Sequence, residues 1–360
     1  MPIETLQFDD PKYQNYLRSF SQQDWTLCIG AGVCKGILPD WNDLTHRLVN
    51  KCFSRSWTLA EFEEASKEVG FSLDSWIQGC ANKVVSEGKT IDDFYNILEF
   101  ELYDPLLQKA DSIGIKNDLI KIFESPKGLK KASLFKVCDF FEQEYGHTTL
   151  MQLVNVLLSD SESYKLPSSI VTFNADSLLH SLLVIFNIKR ESEKKGELYL
   201  PKEPFRKVTR TYQHWAQSIP IFHLHGSLSP QSSEIRTNGD ARDSLIFLES
   251  SYSEVASSMN SWAQTNFLYL AQHTKMVFLG LSMSDPNIRR WMSWVNDSYI
   301  SQLSELRQEH TISLNHLWIR TESNKKDIQE FLDVSLRHLG VKIAILKGWS
   351  EVEKTLKKIM

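Results

Sequence analysis

Cysteine is scarce in this chain, and the few cysteines are scattered. There are 5 of them in 360 residues, and no two form a C-x-x-C pair. Structural zinc modules and disulfide frameworks both need cysteines at short, paired spacings. The sequence therefore predicts no zinc site of four thiolates, and an odd number of unpaired cysteines indicates a reducing compartment. The positions are Cys28, Cys34, Cys52, Cys80 and Cys138.

Long apolar runs are also missing. No stretch approaches the roughly 20 residues that cross a bilayer as a helix. The segment from Met1 to Asp10 is acidic and lacks the apolar core of a secretory signal. We therefore expect no membrane association, no signal peptide and a cytoplasmic protein.

Positive charge is not in excess. Lysine and arginine total 40 against 45 acidic residues, for a formal net charge of −5, so we expect no direct binding of nucleic acid. The most basic stretch, Lys189 to Arg210, also contains several glutamates. Mixed charge of this kind is typical of exposed segments, and we predict a solvated surface excursion there.

What the sequence does contain is a glycine-rich loop directly after the apolar run Trp25 to Cys28. The loop reads Ile29-Gly30-Ala31-Gly32-Val33-Cys34 and is followed by Pro39-Asp40-Trp41. Glycines at a strand end allow a tight turn and a close approach to a pyrophosphate, with a helix N-terminus supplying partial positive charge. A bare G-x-G is also common in ordinary strand-to-helix turns, so the motif needs support from elsewhere.

Three further segments supply that support, because each places polar groups at the end of a predicted buried strand. They are Thr172–Asp176, His225–Ser227 and Gly280–Asp285. Open α/β sheets bind ligands at the carboxyl ends of their strands. Four such segments therefore predict one shared crevice.

Between the glycine-rich loop and the segment Thr172–Asp176, the apolar spacing changes to that of helices. Leu44, Leu48 and Val49 share one helical face, and similar faces recur later. Breaks between helices are predicted at Pro105, at Gly114 and at Ser125-Pro126. We therefore predict an α/β fold, with a Rossmann-like, mostly parallel sheet and helices on both faces (residues 1–42 and 167–360), plus an all-helical insertion subdomain (43–166) over the mouth of the crevice.

The alternating β/α pattern of the second part gives individual elements. Strands are predicted near 168–173, 219–224, 275–280, 313–320 and 341–346. Helices are predicted at Leu178–Ile185, Ser250–Leu270, Asp285–Leu306, Lys325–Leu339 and the C-terminus, and 227–244 is predicted to be a loop.

The ordered set GAGV, PDW, TFNAD, HLHG and GLSMSD resembles the NAD-binding core of the sirtuin superfamily, specifically the sirtuin-like domains of bacterial anti-phage defence systems. The resemblance covers residues 25–46 and 168–347. It implies that NAD is the substrate. The NAD-binding residues it implies are Gly30, Ala31, Gly32, Val33, Pro39, Trp41, Gly226, Gly280, Ser282 and Asp285, with Glu249 and Tyr252 near the pocket.

The departures from the family pattern also carry information. Cys34 stands where family members usually carry serine, and the loop Lys35–Leu38 is one residue shorter than usual, which affects the nicotinamide pocket. Deacylating sirtuins carry a zinc module with two C-x-x-C pairs, which this sequence lacks. Protein deacylation is therefore the less favoured activity.

Three residues are candidates for catalysis. Cleaving the bond between nicotinamide and ribose builds positive charge on the anomeric carbon. His225 is the candidate general base, because imidazole titrates near neutral pH, and Asn174 can orient water and the ribose diol without adding charge. Asp176 either stabilises the developing cation or caps the next helix, and His223 remains the alternative base because strand alternation would place it on the same face as His225.

Two further residues have structural alternatives to a role in the site. Asp285 precedes Pro286 and is suited to cap a helix as well as to bind ligand. Cys34 is a candidate nucleophile, but a small buried thiol that only packs is the favoured interpretation.

The leading functional hypothesis is an NAD glycohydrolase that yields nicotinamide and ADP-ribose or cyclic ADP-ribose and acts as an anti-phage, abortive-infection effector. The alternatives are an NAD-dependent protein deacylase and a non-catalytic NAD or ADP-ribose scaffold. Because such activity needs restraint, we expect a homo-oligomer gated by a partner protein, and the resemblance points to a DNA-translocating ATPase or an Argonaute-like protein.

Overall fold

A parallel sheet forms the centre of the molecule. The computed structural model describes residues 6–7, 14–125, 128–160, 164–210, 217–230, 245–251, 261–305, 316–323 and 326–360. Within these ranges the sheet has eight strands in the order β1-β8-β7-β6-β2-β3-β5-β4, and every neighbouring pair is parallel. The strands are β1 (Leu6–Gln7), β2 (Trp25–Ile29), β3 (Ser169–Thr172), β4 (Phe205–Val208), β5 (Ile219–His223), β6 (Lys275–Leu279), β7 (His316–Thr321) and β8 (Val341–Leu346).

Helices surround the sheet and fill the long connection between β2 and β3. In the first half of the chain they are α1 (Gln14–Gln22), α2 (Trp41–Cys52), α3 (Leu59–Val69), α4 (Leu73–Ser86), α5 (Ile91–Ser112), α6 (Lys116–Glu124), α7 (Lys131–Tyr145) and α8 (Thr149–Leu157). After β3 they are α9 (Leu178–Lys195), α10 (Trp262–His273), α11 (Pro286–Glu305), α12 (Lys326–Leu336) and α13 (Val352–Ile359).

Strand β2 lies between β3 and β6 and is buried on both faces. All five of its residues are buried. Leu27 and Ile29 belong to one apolar cluster, whereas Cys28 belongs to a second cluster on the opposite face, as expected from the alternation of side chains along a strand. The Thr26 hydroxyl contacts Ser169 Oγ at 2.8 Å and Thr274 Oγ1 at 2.7 Å. A parallel sheet covered on both faces is the predicted Rossmann-like class, which is confirmed.

The helical segments α2 to α8 share a core with the sheet. The cluster that contains Leu27 also contains Leu98 of α5 and Leu150 of α8. The predicted break at Gly114 separates α5 from α6, but the predicted break at Pro105 is wrong, because this proline lies inside α5. A proline removes one helical hydrogen bond and bends the helix, and the buried residues on either side hold α5 together across it.

The predicted surface excursion over Lys189 to Arg210 is also wrong in part. Helix α9 continues to Lys195, and residues Phe205–Val208 form the edge strand β4. Strand β4 buries Phe205 in one apolar cluster and Val208 in the other, while Arg206 between them is exposed, so an edge strand accommodates the charges that suggested a loop. Residues 211–216, 231–244, 252–260 and 313–315, which include parts of the predicted loop, helix and strand, lie outside the described residues, as does Tyr252.

None of the described helices is both long and apolar enough to span a membrane.

Candidate functional site

A cavity of about 810 Å³ opens at the carboxyl ends of β2, β3, β5 and β6. Its wall includes Gly30 after β2, Asn174 after β3, His225 after β5 and Gly280 after β6. Strand β2 lies between β3 and β6. The chain places β3, β5 and β4 on one side of β2 and β6, β7 and β8 on the other. Such a crossover point is where open α/β sheets form ligand crevices, so the predicted shared crevice is present.

Glycine is required at Gly30 and Gly32 because the loop after β6 packs closely against them. The N–H of Gly30 donates to Leu279 O at 3.1 Å, and the N–H of Gly32 donates to Gly280 O at 3.0 Å. A Cβ on Gly32 would lie 2.8 Å from Gly280 O, and one on Gly280 would lie 2.6 Å from Val33 N. The close approach that these glycines allow is to the neighbouring loop, whose carbonyl oxygens engage both N–H groups, and the predicted approach to a pyrophosphate stays a prediction.

The helix N-termini beside the cavity differ from the prediction. A short 3-10 helix, Ala31–Cys34, follows the glycine loop, and α2 begins only at Trp41. Asp40 caps α2 by accepting from the N–H groups of Asn42 and Asp43. A carboxylate therefore occupies the site where the helix dipole was expected to attract a phosphate.

The same arrangement recurs at two other helices. Asp176 Oδ1 accepts from the Leu178 N–H at 3.0 Å, at the start of α9. Asp285 Oδ1 accepts from the Asn287 N–H at 2.7 Å and from the Ile288 N–H, at the start of α11. Both aspartates also line the cavity. For Asp285 the capping and site placements that the sequence left as alternatives therefore occur together, whereas Asp176 precedes Ser177, the N-cap residue of α9, and bonds only to the first N–H of that helix.

Cys34, Asn174 and Asp176 form one buried group in the cavity wall. The Asn174 Nδ2 atom lies 3.8 Å from Cys34 Sγ, and that sulfur lies 3.6 Å from each Asp176 carboxylate oxygen. Burial and the neighbouring Asp176 raise the pKa of the Cys34 thiol well above its usual value. Burial likewise raises the pKa of Asp176, against the hydrogen bonds from Leu178 and Cys34. A thiol that stays protonated is a poor nucleophile, which favours the interpretation of Cys34 as a packing and hydrogen-bonding group.

The two candidate histidines lie in different surroundings. Strand β5 ends at His223, and a turn closed by the Gly226 N–H to His223 O at 3.1 Å carries His225 into the cavity wall. The His225 ring packs edge-on against Phe173, with 4.9 Å between ring centroids. The expectation that both rings share one face is wrong, because the strand stops between them.

Electrostatics separate the two rings further. Burial lowers the pKa of His225 to about 4, although Asp285 acts in the opposite direction. Burial, Lys207 and His180 lower the pKa of His223 well below its usual range, partly offset by the Asn174 backbone. Neither ring nitrogen of His223 makes a hydrogen bond of good geometry in the described structure, and His223 is not among the residues that line the cavity.

Most of the sequence-predicted binding residues reach the cavity. Val33 and Gly226 do not line it: Val33 is fully buried, and Gly226 forms the turn after β5 with a φ of 78°. The predicted residues that line it are Gly30, Ala31, Gly32, Pro39, Trp41, Asn174, Asp176, His225, Gly280, Ser282 and Asp285, together with Glu249.

One wall of the cavity comes from the helical region, which was predicted to lie over the mouth of the crevice, but its individual residues were not predicted. Leu73 and Asp74 at the start of α4 and Leu102 of α5 line it, so the helical region contributes to the site. Phe247 also lines it and packs against Trp41 at 5.0 Å between centroids. No local motif marks these residues, since only the folded chain brings the helical region over the sheet.

Negative charge predominates around the cavity. Among the described lining residues, Lys35 is the only lysine or arginine. Burial, Asp285 and Glu249 raise the pKa of Asp74, which shows that these carboxylates interact across the opening. Among the described residues no group of three or more metal-ligating side chains is placed to hold an ion. The lining carboxylates are Asp40, Asp74, Asp176, Glu249 and Asp285.

Comparison with known proteins supports one family. A search of curated proteins found no match. Residues 168–334 match the model of the SIR2-like domain. The matched segment contains Asn174, Asp176, His225 and Gly280–Asp285, whereas the Gly30 loop precedes it. This segment, somewhat less than half of the chain, is therefore similar to a SIR2-like domain.

Proposed function

We propose that this chain is an NAD glycohydrolase, which breaks the bond between nicotinamide and ribose. Either water attacks the ribose and gives nicotinamide, ADP-ribose and a proton, or the adenine N1 of the same NAD displaces nicotinamide and gives cyclic ADP-ribose and a proton. The observation that carries the proposal is the convergence of Asn174, Asp176 and His225 on one cavity of about 810 Å³ within a segment that matches the SIR2-like domain. The cavity is of the size typical for nucleotide-sized ligands.

The protonation states of the three residues suit this reaction. A pKa of about 4 keeps the His225 imidazole neutral at pH 7, so it can accept a proton from a ribose hydroxyl or from the attacking water. Asn174 provides a neutral amide to orient these groups. Asp176 lies beside it through Cys34, and its carboxylate form stabilises positive charge that develops on the ribose; burial raises the pKa of Asp176 and opposes this form, whereas the hydrogen bonds from Leu178 and Cys34 favour it.

The rest of the cavity suits the parts of NAD. Trp41, Phe173 and Phe247 offer aromatic surface for the bases. The lining carboxylates can accept hydrogen bonds from ribose hydroxyls and favour the positively charged nicotinamide ring. Lys35 and Ser282 are the lining groups best suited to the phosphates.

A product assay with two substrates tests the proposal. The purified protein is incubated with NAD alone and, separately, with NAD and an acylated peptide, and nicotinamide and the acylated peptide are quantified. A glycohydrolase releases nicotinamide in both reactions at the same rate. Release that depends on the peptide indicates a deacylase, and binding of NAD or ADP-ribose without release indicates a scaffold.

We further propose that this activity serves as the effector of an anti-phage system in the cytoplasm, as a homo-oligomer switched on by a partner such as a DNA-translocating ATPase or an Argonaute-like protein. Sequence resemblance supports this setting, and unrestrained NAD loss would harm the host. Light scattering together with the NAD assay tests it. A monomer that is fully active without a partner contradicts it.

A further inference from the structure

Tyr103 places one hydroxyl group between two loops of the candidate site. It lies in α5 of the helical region and its side chain is fully buried. The hydroxyl donates to Leu228 O at 2.7 Å and accepts from the Ser177 N–H at 3.1 Å. Tyr103 itself does not line the cavity.

The two loops that it joins are those that carry the catalytic candidates. Ser177 directly follows the segment from Asn174 to Asp176, and Leu228 follows His225 by three residues. The loops also contact each other directly, through the Leu228 N–H to Ala175 O at 2.5 Å and through the Ser177 and Ser229 hydroxyls at 2.9 Å. Tyr103 is therefore a third connection, and it comes from outside both loops.

The ring of Tyr103 is held firmly in the helical region. It packs edge-on against Phe123 of α6 at 5.4 Å between centroids. A shift of α5 would move the hydroxyl. The Ser177 N–H and the Leu228 carbonyl would then lose their hydrogen-bond partner unless their loops moved with it. Buried backbone groups are costly to leave without partners, so the two loops are expected to follow the helix.

We infer that Tyr103 is a positioning residue through which the helical region sets the placement of the Asn174–Ser177 and His225–Leu228 loops. The inference concerns regulation of the proposed site, and only its kinetic consequence rests on the proposed function. A group that both donates and accepts is required at this point, and a hydroxyl meets both needs whereas a phenyl ring meets neither.

The test compares two tyrosine-to-phenylalanine variants. Tyr103→Phe removes the bridging hydroxyl and keeps the ring. Tyr16→Phe is the matched control, because the Tyr16 hydroxyl also contacts a backbone carbonyl, His316 O at 3.3 Å, on a strand away from the cavity. Each protein is measured by hydrogen–deuterium exchange of the two loops and by kcat and KM for NAD cleavage.

The expected result has two parts. In Tyr103→Phe, exchange at the Ser177 amide and in the 225–229 segment rises, and kcat falls by about 10- to 100-fold with KM changed by less than about threefold, since loops displaced by about 1 Å lose catalytic geometry more than binding. Tyr16→Phe changes neither the exchange of these loops nor kcat. If Tyr103→Phe does not fold, Phe123→Leu loosens the ring without removing the hydroxyl and is expected to give a smaller change in the same direction.

The outcomes separate the two claims. Unchanged loop exchange in the folded variants overturns the inference whatever the activity is. Raised exchange with unchanged kcat also overturns it, because the loops then do not depend on Tyr103 for function. If the wild-type protein does not cleave NAD, the proposed function fails, and the inference is decided by loop exchange together with the affinity for ADP-ribose.

Discussion

The sulfur of Cys34 lies at equal distances, 3.6 Å, from the two carboxylate oxygens of Asp176. On its other side it faces the Asn174 amide. The position that usually carries serine in the resembling family thus joins two catalytic candidates through a thiol. Because burial raises the pKa of this thiol, it joins them as a neutral group.

Cys34→Ser is expected to retain NAD cleavage within about threefold of wild type, since a hydroxyl can make the same contacts and no nucleophilic sulfur is needed. The folded wild-type protein is also expected to resist alkylation of Cys34 by iodoacetamide. Peptide mapping after labelling and a nicotinamide release assay check the two statements.

Cys138→Ser is the control, because Cys138 is another fully buried cysteine, in α7 and away from the cavity. This variant measures how a buried hydroxyl in place of a thiol changes stability and activity when the candidate site itself is unaltered. A loss of 100-fold or more in Cys34→Ser, with Cys138→Ser unaffected, would show that the sulfur takes part in the reaction.

Replacing either His225 or Asn174 by alanine is expected to lower NAD cleavage by about 100- to 10,000-fold, the usual contribution of a positioned acid–base group. His223→Leu is the matched control. Among the described residues its imidazole has no hydrogen-bond partner of good geometry, and it lies outside the cavity wall. Its removal is expected to leave cleavage within about threefold and the free energy of unfolding unchanged or about 1 kcal/mol higher.

Steady-state kinetics and circular dichroism on the three variants provide the measurement. Wild-type turnover in folded His225→Ala would remove this residue from the mechanism. A large loss in His223→Leu, with His225→Ala active, would exchange their roles.

Stability is expected to fall as the pH drops from about 6.5 to about 4. Burial lowers the pKa of His180, His225 and His316 to about 4. Between about pH 6.5 and 4 these histidines are therefore protonated in the unfolded chain but neutral in the folded protein. Each histidine contributes a slope of up to about 1.4 kcal/mol per pH unit, and Asp176, with its raised pKa, acts in the opposite direction. Urea unfolding at several pH values measures the slope.

The lowered pKa of His225 also predicts how NAD cleavage depends on pH. If neutral His225 is the base, kcat/KM stays flat between pH 6 and 8 and declines only toward its pKa of about 4. A decline centred near pH 6.5 would mean that an unshifted histidine controls the rate.

Gly280→Ala is expected to destabilise the protein more than Gly70→Ala. Both glycines have a positive φ, 68° and 72°, but a Cβ on Gly280 would lie 2.6 Å from Val33 N, whereas one on Gly70 meets nothing within 4 Å. Gly70→Ala therefore costs only the backbone strain of about 1 kcal/mol. Gly280→Ala adds an overpacking cost of about 1 to 3 kcal/mol. Thermal or urea unfolding of both variants measures the difference, and equal losses would contradict the close contact of the two loops.

The sheet was predictable where apolar strands end in polar motifs. Strands β2, β3, β5 and β6 have such runs, strands β7 and β8 were predicted from the β/α alternation without a polar motif, and the helical spacing of Leu44, Leu48 and Val49 indicated α2. Strand β4 was not predictable, because an edge strand needs few apolar residues and its charges resemble those of a loop. The helix through Pro105 was also missed, since packing that offsets a lost hydrogen bond is not visible in local sequence.

The residues of the candidate site were predictable at the strand ends and, from the family resemblance, at Pro39 and Trp41. Asn174, Asp176, His225 and Gly280 follow strands and could be placed at one edge by the rules of parallel sheets. Asp74 follows no strand and reaches the cavity because α4 lies over it. The capping by Asp40 was missed for a different reason. A carboxylate before a helix both caps the helix and repels anions, but the glycine-rich motif drew attention only to phosphate binding.

The contacts of Thr26 have a consequence for how the chain folds. Its hydroxyl bonds to Ser169 and to Thr274, which lie 143 and 248 residues away in sequence. Strand β2 is thus made before both of its neighbours: β3 follows after the whole helical region, and β6 follows about 100 residues after β3. Contacts of such long range slow folding, and until they form, the apolar segment Trp25–Ile29 has two unpaired edges that can aggregate. Rapid synthesis at high temperature is therefore expected to favour inclusion bodies of this protein, and co-expressed chaperones are expected to raise its soluble yield.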